Sequence, residues 1–167
     1  IKDDSHKLIV ELQNKYAEST GISNLKIKYN NVIGYFIEVQ SKFAAEMLEN
    51  VGAELFFQVG ENLESMSLPM EKRKDFYLIF KEAIHNCAKY AQAKHVEIHL
   101  DVKNNTLIMN IKDDGIGFDP HKANNSGMGG NGLKNMQQRA RTIGATFSIQ
   151  SNPGNGVDLR VAVPLVP

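Results

Sequence analysis

A single cysteine, Cys87, stands among the 167 residues of this chain. An internal disulfide is excluded, and with it the small stapled folds of secreted proteins; one thiol fits a reducing cytoplasm. Net charge is missing as well, because 19 Lys and Arg offset 19 Asp and Glu. Nucleic-acid binding usually shows itself as a basic patch and a raised pI, and Lys26 and Lys28 are too few to make one. No apolar run approaches the ~20 residues that cross a bilayer, and no signal peptide is visible, so membrane contact by this piece is not expected. A histidine metal site is not expected either: His95 and His99 alternate with apolar residues and read as exposed strand positions. What the length allows is one domain of ordinary size with an appendage.

What is present is concentrated in the second half, as three short motifs in order. The first is Glu82-Ala83-Ile84-His85-Asn86. Around it Phe76, Phe80, Ala83, Cys87 and Tyr90 recur at helical spacing, which predicts an amphipathic helix from Pro69 to Ala91. Glu82 and Asn86 are four residues apart and share a face, with Lys89 one turn on. That face offers a carboxylate, a carbonyl oxygen and an ammonium, suited to a Mg²⁺ ion that keeps most of its waters and to the phosphates beside it. Asn86 is the candidate metal ligand and Lys89 a candidate phosphate contact.

The second motif, Asp113-Asp114-Gly115-Ile116-Gly117, closes a stretch of alternation. Val96, Ile98, Leu100 and Val102, then Leu107, Met109 and Ile111, flank the turn-like Lys103-Asn104-Asn105 and predict an antiparallel hairpin with one buried face. A carboxylate at the strand end can accept a hydrogen bond from an exocyclic amine, which adenine offers and guanine at that position does not. Gly115 and Gly117 are expected to let the backbone approach a flat ligand. The third motif, Gly127-Met128-Gly129-Gly130-Asn131-Gly132, ends a stretch from Asp119 to Gly130 that is poor in apolar anchors and expected to be a mobile loop. The helical run from Leu133 to Arg141 follows it, so that Gly130, Gly132 and Leu133 stand at a helix N-terminus suited to phosphate.

Further alternation, Phe147 and Ile149 followed by Val157, Leu159, Val161 and Val163 around Asn152-Pro153-Gly154-Asn155-Gly156, predicts another hairpin. With Leu55, Phe57 and Val59 as one more strand, the expectation is a five-stranded mixed sheet covered by helices on one face, a two-layer α/β sandwich of the α+β kind.

In this order and context the three motifs resemble the asparagine box and the two glycine boxes of the ATP-binding domain shared by histidine kinases, gyrase, Hsp90 and MutL, the Bergerat fold of the GHKL superfamily. The resemblance covers about Phe43 to Pro167 and is most similar to sensor kinases of the nitrate-sensor and desaturase-sensor type. It implies ATP and Mg²⁺ as ligands, Asp113 rather than Asp114 as the adenine contact, the Asp119–Gly130 stretch as a lid, and Glu82 as a general base in a catalytic role. In a parent kinase it implies as partners a dimerisation and phosphoacceptor domain and a response regulator, with the piece on the cytoplasmic side of a sensor that can itself be membrane-anchored. Tyr90 stands where many members carry His. Val157 stands where a Gly-Thr pair is common, so a hydroxyl is missing.

The first forty residues differ. Lys2 to Ser19 is a charged helical run, and Gly21 to Val39 reads as two strands around an Asn-Asn turn. Gly21-Ile22-Ser23-Asn24-Leu25-Lys26 and Tyr29-Asn30-Asn31-Val32-Ile33-Gly34-Tyr35-Phe36-Ile37-Glu38-Val39 resemble the clamp region of the mismatch-repair protein MutS. The expected division is residues 1–41 as the clamp-like segment and 42–167 as the ATP-binding domain, an arrangement that reads as an engineered chimera. His6, in Ser5-His6-Lys7-Leu8, is no phosphoacceptor on this reading, because Lys7 replaces the acidic neighbour. Transfer to its own histidine is therefore not expected. The alternatives are a stand-alone ATPase or protein-serine kinase with Glu82 as general base, and a DNA-contacting module led by the first segment, which salt-dependent duplex binding would reveal.

Overall fold

The computed structural model describes residues 32–61, 63, 66, 68–123 and 130–165. The chain divides into two compact units, Ile1–Val39 and Gln40–Pro167. The expected helix from Lys2 to Ser19 and the strand beginning at Gly21 lie outside the described residues.

Helix α1 is Val32–Glu49. Its start corrects an expectation, since Val32–Val39 was expected as a strand. Tyr35-Phe36-Ile37-Glu38-Val39 carries apolar residues at both two- and four-residue spacing, and the following Ala44-Ala45-Glu46-Met47-Leu48 is made of strong helix formers. Extending an existing helix fixes one residue per hydrogen bond, whereas starting a strand has no such nucleus. Within the second unit α1 buries Ala44 and Leu48 and sets the Phe43 ring edge-on to Phe80, centroids 6.5 Å apart.

Strand β1, Glu54–Val59, follows, then helix α2, Met70–Asn86, which continues as a π-helical turn over Cys87–Ala91 and ends on Gln92 at φ 52°. Strands β2, His95–Lys103, and β3, Thr106–Asp113, form the predicted hairpin. Asn104 and Asn105 both have positive φ, 49° and 56°, the pattern of the two-residue turn whose twist matches the strands. A short helix α3, Pro120–Ala123, precedes α4, Gly130–Thr142. Strands β4, Thr146–Ser151, and β5, Val157–Pro164, complete the unit.

The sheet runs β1-β2-β3-β5-β4; β1 and β2 are parallel and the other pairs antiparallel. It is the expected five-stranded mixed sheet. One face buries Val96, Ile98, Leu100, Leu107, Met109, Ile111, Leu159, Val161 and Val163, and the helices bury Phe76, Ile79, Phe80, Ala83, Ile84, Leu133, Met136 and Ala140. Arg139 of α4 pairs with Asp75 of α2 at 2.7 Å and clamps the two helices side by side. Gln40 is fully buried with both amide atoms unpaired among the described residues, a desolvation cost of about 1–3 kcal/mol. Among the described residues no helix is long and apolar enough to cross a membrane.

The stretch expected as a loop from Asp119 differs in part. Asp119 accepts from the His121 backbone N–H on its side chain and from the Lys122 N–H on its carbonyl, which turns Pro120–Ala123 into helix. Residues 124–129 lie outside the described residues.

Candidate functional site

Side-chain parity along β3 builds the centre of the site. Leu107, Met109 and Ile111 point to the helix-covered face, and a period of two puts Asp113 on the same face at the strand end. Asp113 is only 5% exposed. Its Oδ1 accepts the Gly115 backbone N–H at 2.9 Å, and its Oδ2 lies 3.6 Å from the Cys87 thiol, which donates to it. Burial raises the Asp113 carboxyl above the ordinary carboxylate range, against the Gly115 and Cys87 hydrogen bonds.

A cavity of about 510 Å³ opens over this carboxylate. Its floor comes from the sheet and the Cys87 turn, its sides from α2 and α4. Of the sequence-derived candidates, Asn86, Asp113, Gly117 and Leu133 line it; Glu82, Lys89, Gly115 and Gly132 stand outside its lining. Lys89 is exposed, with its ammonium 5.0 Å from the centre of the Tyr90 ring. Glu82 lies at the start of α4, where a Cβ on Gly132 would overlap its carboxylate; a negative group there is favoured by the helix dipole. Gly130 is the first residue of that helix.

Gly115 also has a packing role within the fold. A Cβ there would run into the Ala91 carbonyl, and the next residue, Ile116, donates its N–H to that same carbonyl at 2.8 Å. The glycine is needed so that the loop can dock on the end of the π-helical turn. Such turns occur mainly at functional sites, and this one carries Cys87, Tyr90 and Ala91 into the cavity wall.

Several lining residues were given no role in the site by the sequence reading, among them Cys87, Ile116 and Lys122, while Tyr90 and Val157 entered it only as departures from the family pattern. Tyr90 and Cys87 were legible as helix-face residues, each four positions on, from Asn86 and Ala83 respectively. Lys122 had no signal, since its place depends on the helical turn after Pro120. Among the described residues no group of three or more His, Cys, Asp or Glu side chains could hold a metal ion.

Asp114 has the opposite parity and a separate task. Its Oδ1 accepts the backbone N–H groups of Lys94 at 2.8 Å and His95 at 2.9 Å. Its Oδ2 takes the His95 ring Nδ1–H at 2.7 Å, while His95 Nε2 lies 3.3 Å from Glu54 on β1. The latch joins β1, β2 and the loop after β3. Hydrogen bonds from the His95 backbone and ring push the Asp114 carboxyl down to about 2, and the Asp114 hydrogen bond raises the His95 imidazole. A raised histidine contributes stability that is full below its unfolded pKa and lost as pH rises through the folded one. A lowered carboxyl contributes above its unfolded pKa and fails as pH falls towards 2. The latch is therefore complete at mildly acid pH and weakens as His95 deprotonates. Melting temperature is expected to fall between pH 6 and pH 8 more steeply in the parent than in His95→Gln; equal slopes would show that the latch does not titrate in this range.

The comparisons with known proteins agree with this geometry. Residues 71–167 match the family model for histidine kinase-, DNA gyrase B-, and HSP90-like ATPases, and residues 1–55 match MutS family domain IV. The chain is 32% identical over 108 residues to the sensor protein VraS of Staphylococcus aureus, covering 65% of this chain and 30% of VraS. It is 60% identical over 47 residues to the DNA mismatch repair protein MutS of a Ruegeria species, covering 28% of this chain and 5% of that protein. The chain thus spans less than a third of the length of either relative. In fold it is similar to the histidine kinase domain of the Erythrobacter litoralis EL346 blue-light activated histidine kinase, with TM-score 0.61, 18% identity, and 78% of this chain and 61% of that one covered. With the asparagine helix, the buried strand-end carboxylate and the family match converging on one cavity, the chain belongs to the histidine kinase-, DNA gyrase B- and HSP90-like ATPase family.

Proposed function

We propose that residues 42–167 are the catalytic domain of a two-component sensor histidine kinase, binding ATP with Mg²⁺, and that residues 1–41 are a MutS-like segment joined to it. The observation that carries this reading is Asp113, a carboxylate buried at the end of an otherwise largely apolar cavity. Its oxygens keep accepting capacity beyond the hydrogen bonds from Gly115 and Cys87, and an adenine amine is a donor that a guanine carbonyl cannot replace.

Asn86, Lys89, Gly115, Gly117, Gly130, Gly132 and Leu133 complete the proposed nucleotide site, with the aliphatic and aromatic lining closing on the base. Asn86 would hold Mg²⁺ beside the phosphates, where the ion would supply charge neutralisation. Glu82, against the start of α4, would orient or deprotonate an incoming acceptor. The acceptor in a parent kinase is a histidine of a dimerisation domain, from which a response regulator takes the phosphoryl group. Phosphoryl transfer depends almost wholly on positioning such a group in line.

Calorimetric titration of the whole chain with a non-hydrolysable ATP analogue and Mg²⁺, beside its guanine counterpart, tests the reading. Saturable binding of the adenine compound and much weaker binding of the guanine one is expected. Absence of binding, or equal affinity for both, would overturn it.

A further inference from the structure

We propose that Cys87 is a positioning residue for base recognition, its thiol hydrogen donating to Asp113 Oδ2 and holding that carboxylate as an acceptor turned to the cavity. The inference rests on the adenine-binding reading above and assigns one further residue to it.

Asp113 is fixed from two sides. The Gly115 N–H holds Oδ1 at 2.9 Å and the Cys87 thiol holds Oδ2 at 3.6 Å. The backbone N–H is present whatever the side chains are, but the second donor depends on residue 87 alone. The described lining of the cavity contains neither serine nor threonine, and Val157, beside Asp113 on the neighbouring strand, offers its backbone N–H but no side-chain donor. The thiol is thus the side-chain donor on this carboxylate among the described residues.

Its chemistry suits the task. The thiol is buried and its S–H is aimed at a carboxylate oxygen, the donor role a thiol can fill. A donor on a carboxylate favours its ionised form. An ionised carboxylate only accepts, and so pairs with a purine amine. A protonated one also donates, and so can pair with a purine carbonyl. Cys87 therefore favours the form of Asp113 that discriminates between the two.

The test compares ADP with inosine diphosphate, which has the same sugar and phosphates but a carbonyl in place of the amine. Affinities are measured by calorimetry in Mg²⁺ for the parent chain, Cys87→Ala, Cys87→Val and Cys87→Ser, with melting temperatures alongside. The parent prefers ADP. In Cys87→Ala and in Cys87→Val, which fills the space without a donor, the ADP preference is expected to fall about threefold to tenfold, as for loss of one modest hydrogen bond. Cys87→Ser, whose hydroxyl can donate, retains it. A residue that merely fills space would change both affinities by the same factor, leaving the ratio intact in all three variants, and that result overturns the inference while the adenine reading stands. Absence of an ADP preference in the parent would instead overturn the adenine reading, and this inference with it.

Discussion

Asp113→Asn is expected to weaken ADP binding about tenfold to a hundredfold. The substitution keeps size and shape but replaces a charged acceptor with a neutral amide, and a hydrogen bond to a charged group contributes about 1.5–3 kcal/mol. Two features of the structure make this the most sensitive position in the cavity. The carboxylate is buried, so water cannot replace the lost interaction. Both its oxygens are already held by donors, Gly115 and Cys87, so the amide must turn one NH₂ either towards one of those donors or towards the base. If it faces the base, the amide offers a donor where the carboxylate offered none, and inosine diphosphate should gain on ADP. Calorimetry with both nucleotides checks the loss and the change in ratio together; unchanged ADP affinity would remove Asp113 from base recognition. Retention of the parent melting temperature to within a few degrees would show that the loss lies in the site and not in the fold.

Much of this was legible in the sequence because it rests on period. Alternation along β2, β3 and β5 is regular, and it continues through Asp113, so the inward direction of that carboxylate follows from counting back to Leu107. The two asparagines between β2 and β3 announced their turn in the same way. What was not legible depended on contacts between segments distant in the chain. The role of Gly115 is set by the carbonyl of Ala91, and the position of Lys122 by a helical turn that Asp119 organises. Asp114 looked like the spare member of a pair, yet it ties two backbone amides and the His95 ring. Lys89, expected beside phosphates from its spacing to Asn86, rests its ammonium over Tyr90, a contact the spacing alone did not announce. The strand expected over Val32–Val39 failed for another reason: β-branched and aromatic residues satisfy either period, and the adjoining helix decided between them.

Gly156 packs against the backbone of Asp113 outside the cavity lining, and its substitution separates backbone strain from loss of function. It has φ +66°, and a Cβ there would overlap the Asp113 carbonyl oxygen and crowd the Cα of Asp114. Gly144, at φ +69°, has nothing within 4 Å of its would-be Cβ. Alanine at either position incurs the left-handed penalty of about 1–2 kcal/mol. Only at Gly156 must backbone also move, and the backbone in the way carries Asp113 and closes the β3–β5 pairing at Asp113 and Val157. Gly144→Ala should therefore lower the melting temperature modestly and leave ADP affinity unchanged. Gly156→Ala is expected to cost about 3 kcal/mol or more in stability, since a displaced strand end adds to the strain, and the folded fraction should bind ADP at least tenfold more weakly, because a displacement near 1 Å is enough to misalign a hydrogen-bonded group. Denaturant unfolding and calorimetry on both variants measure the two effects. Equal stability losses with intact binding in Gly156→Ala would mean that the loop before β5 can yield without moving Asp113, and that the turn between β4 and β5 plays no part in shaping the site.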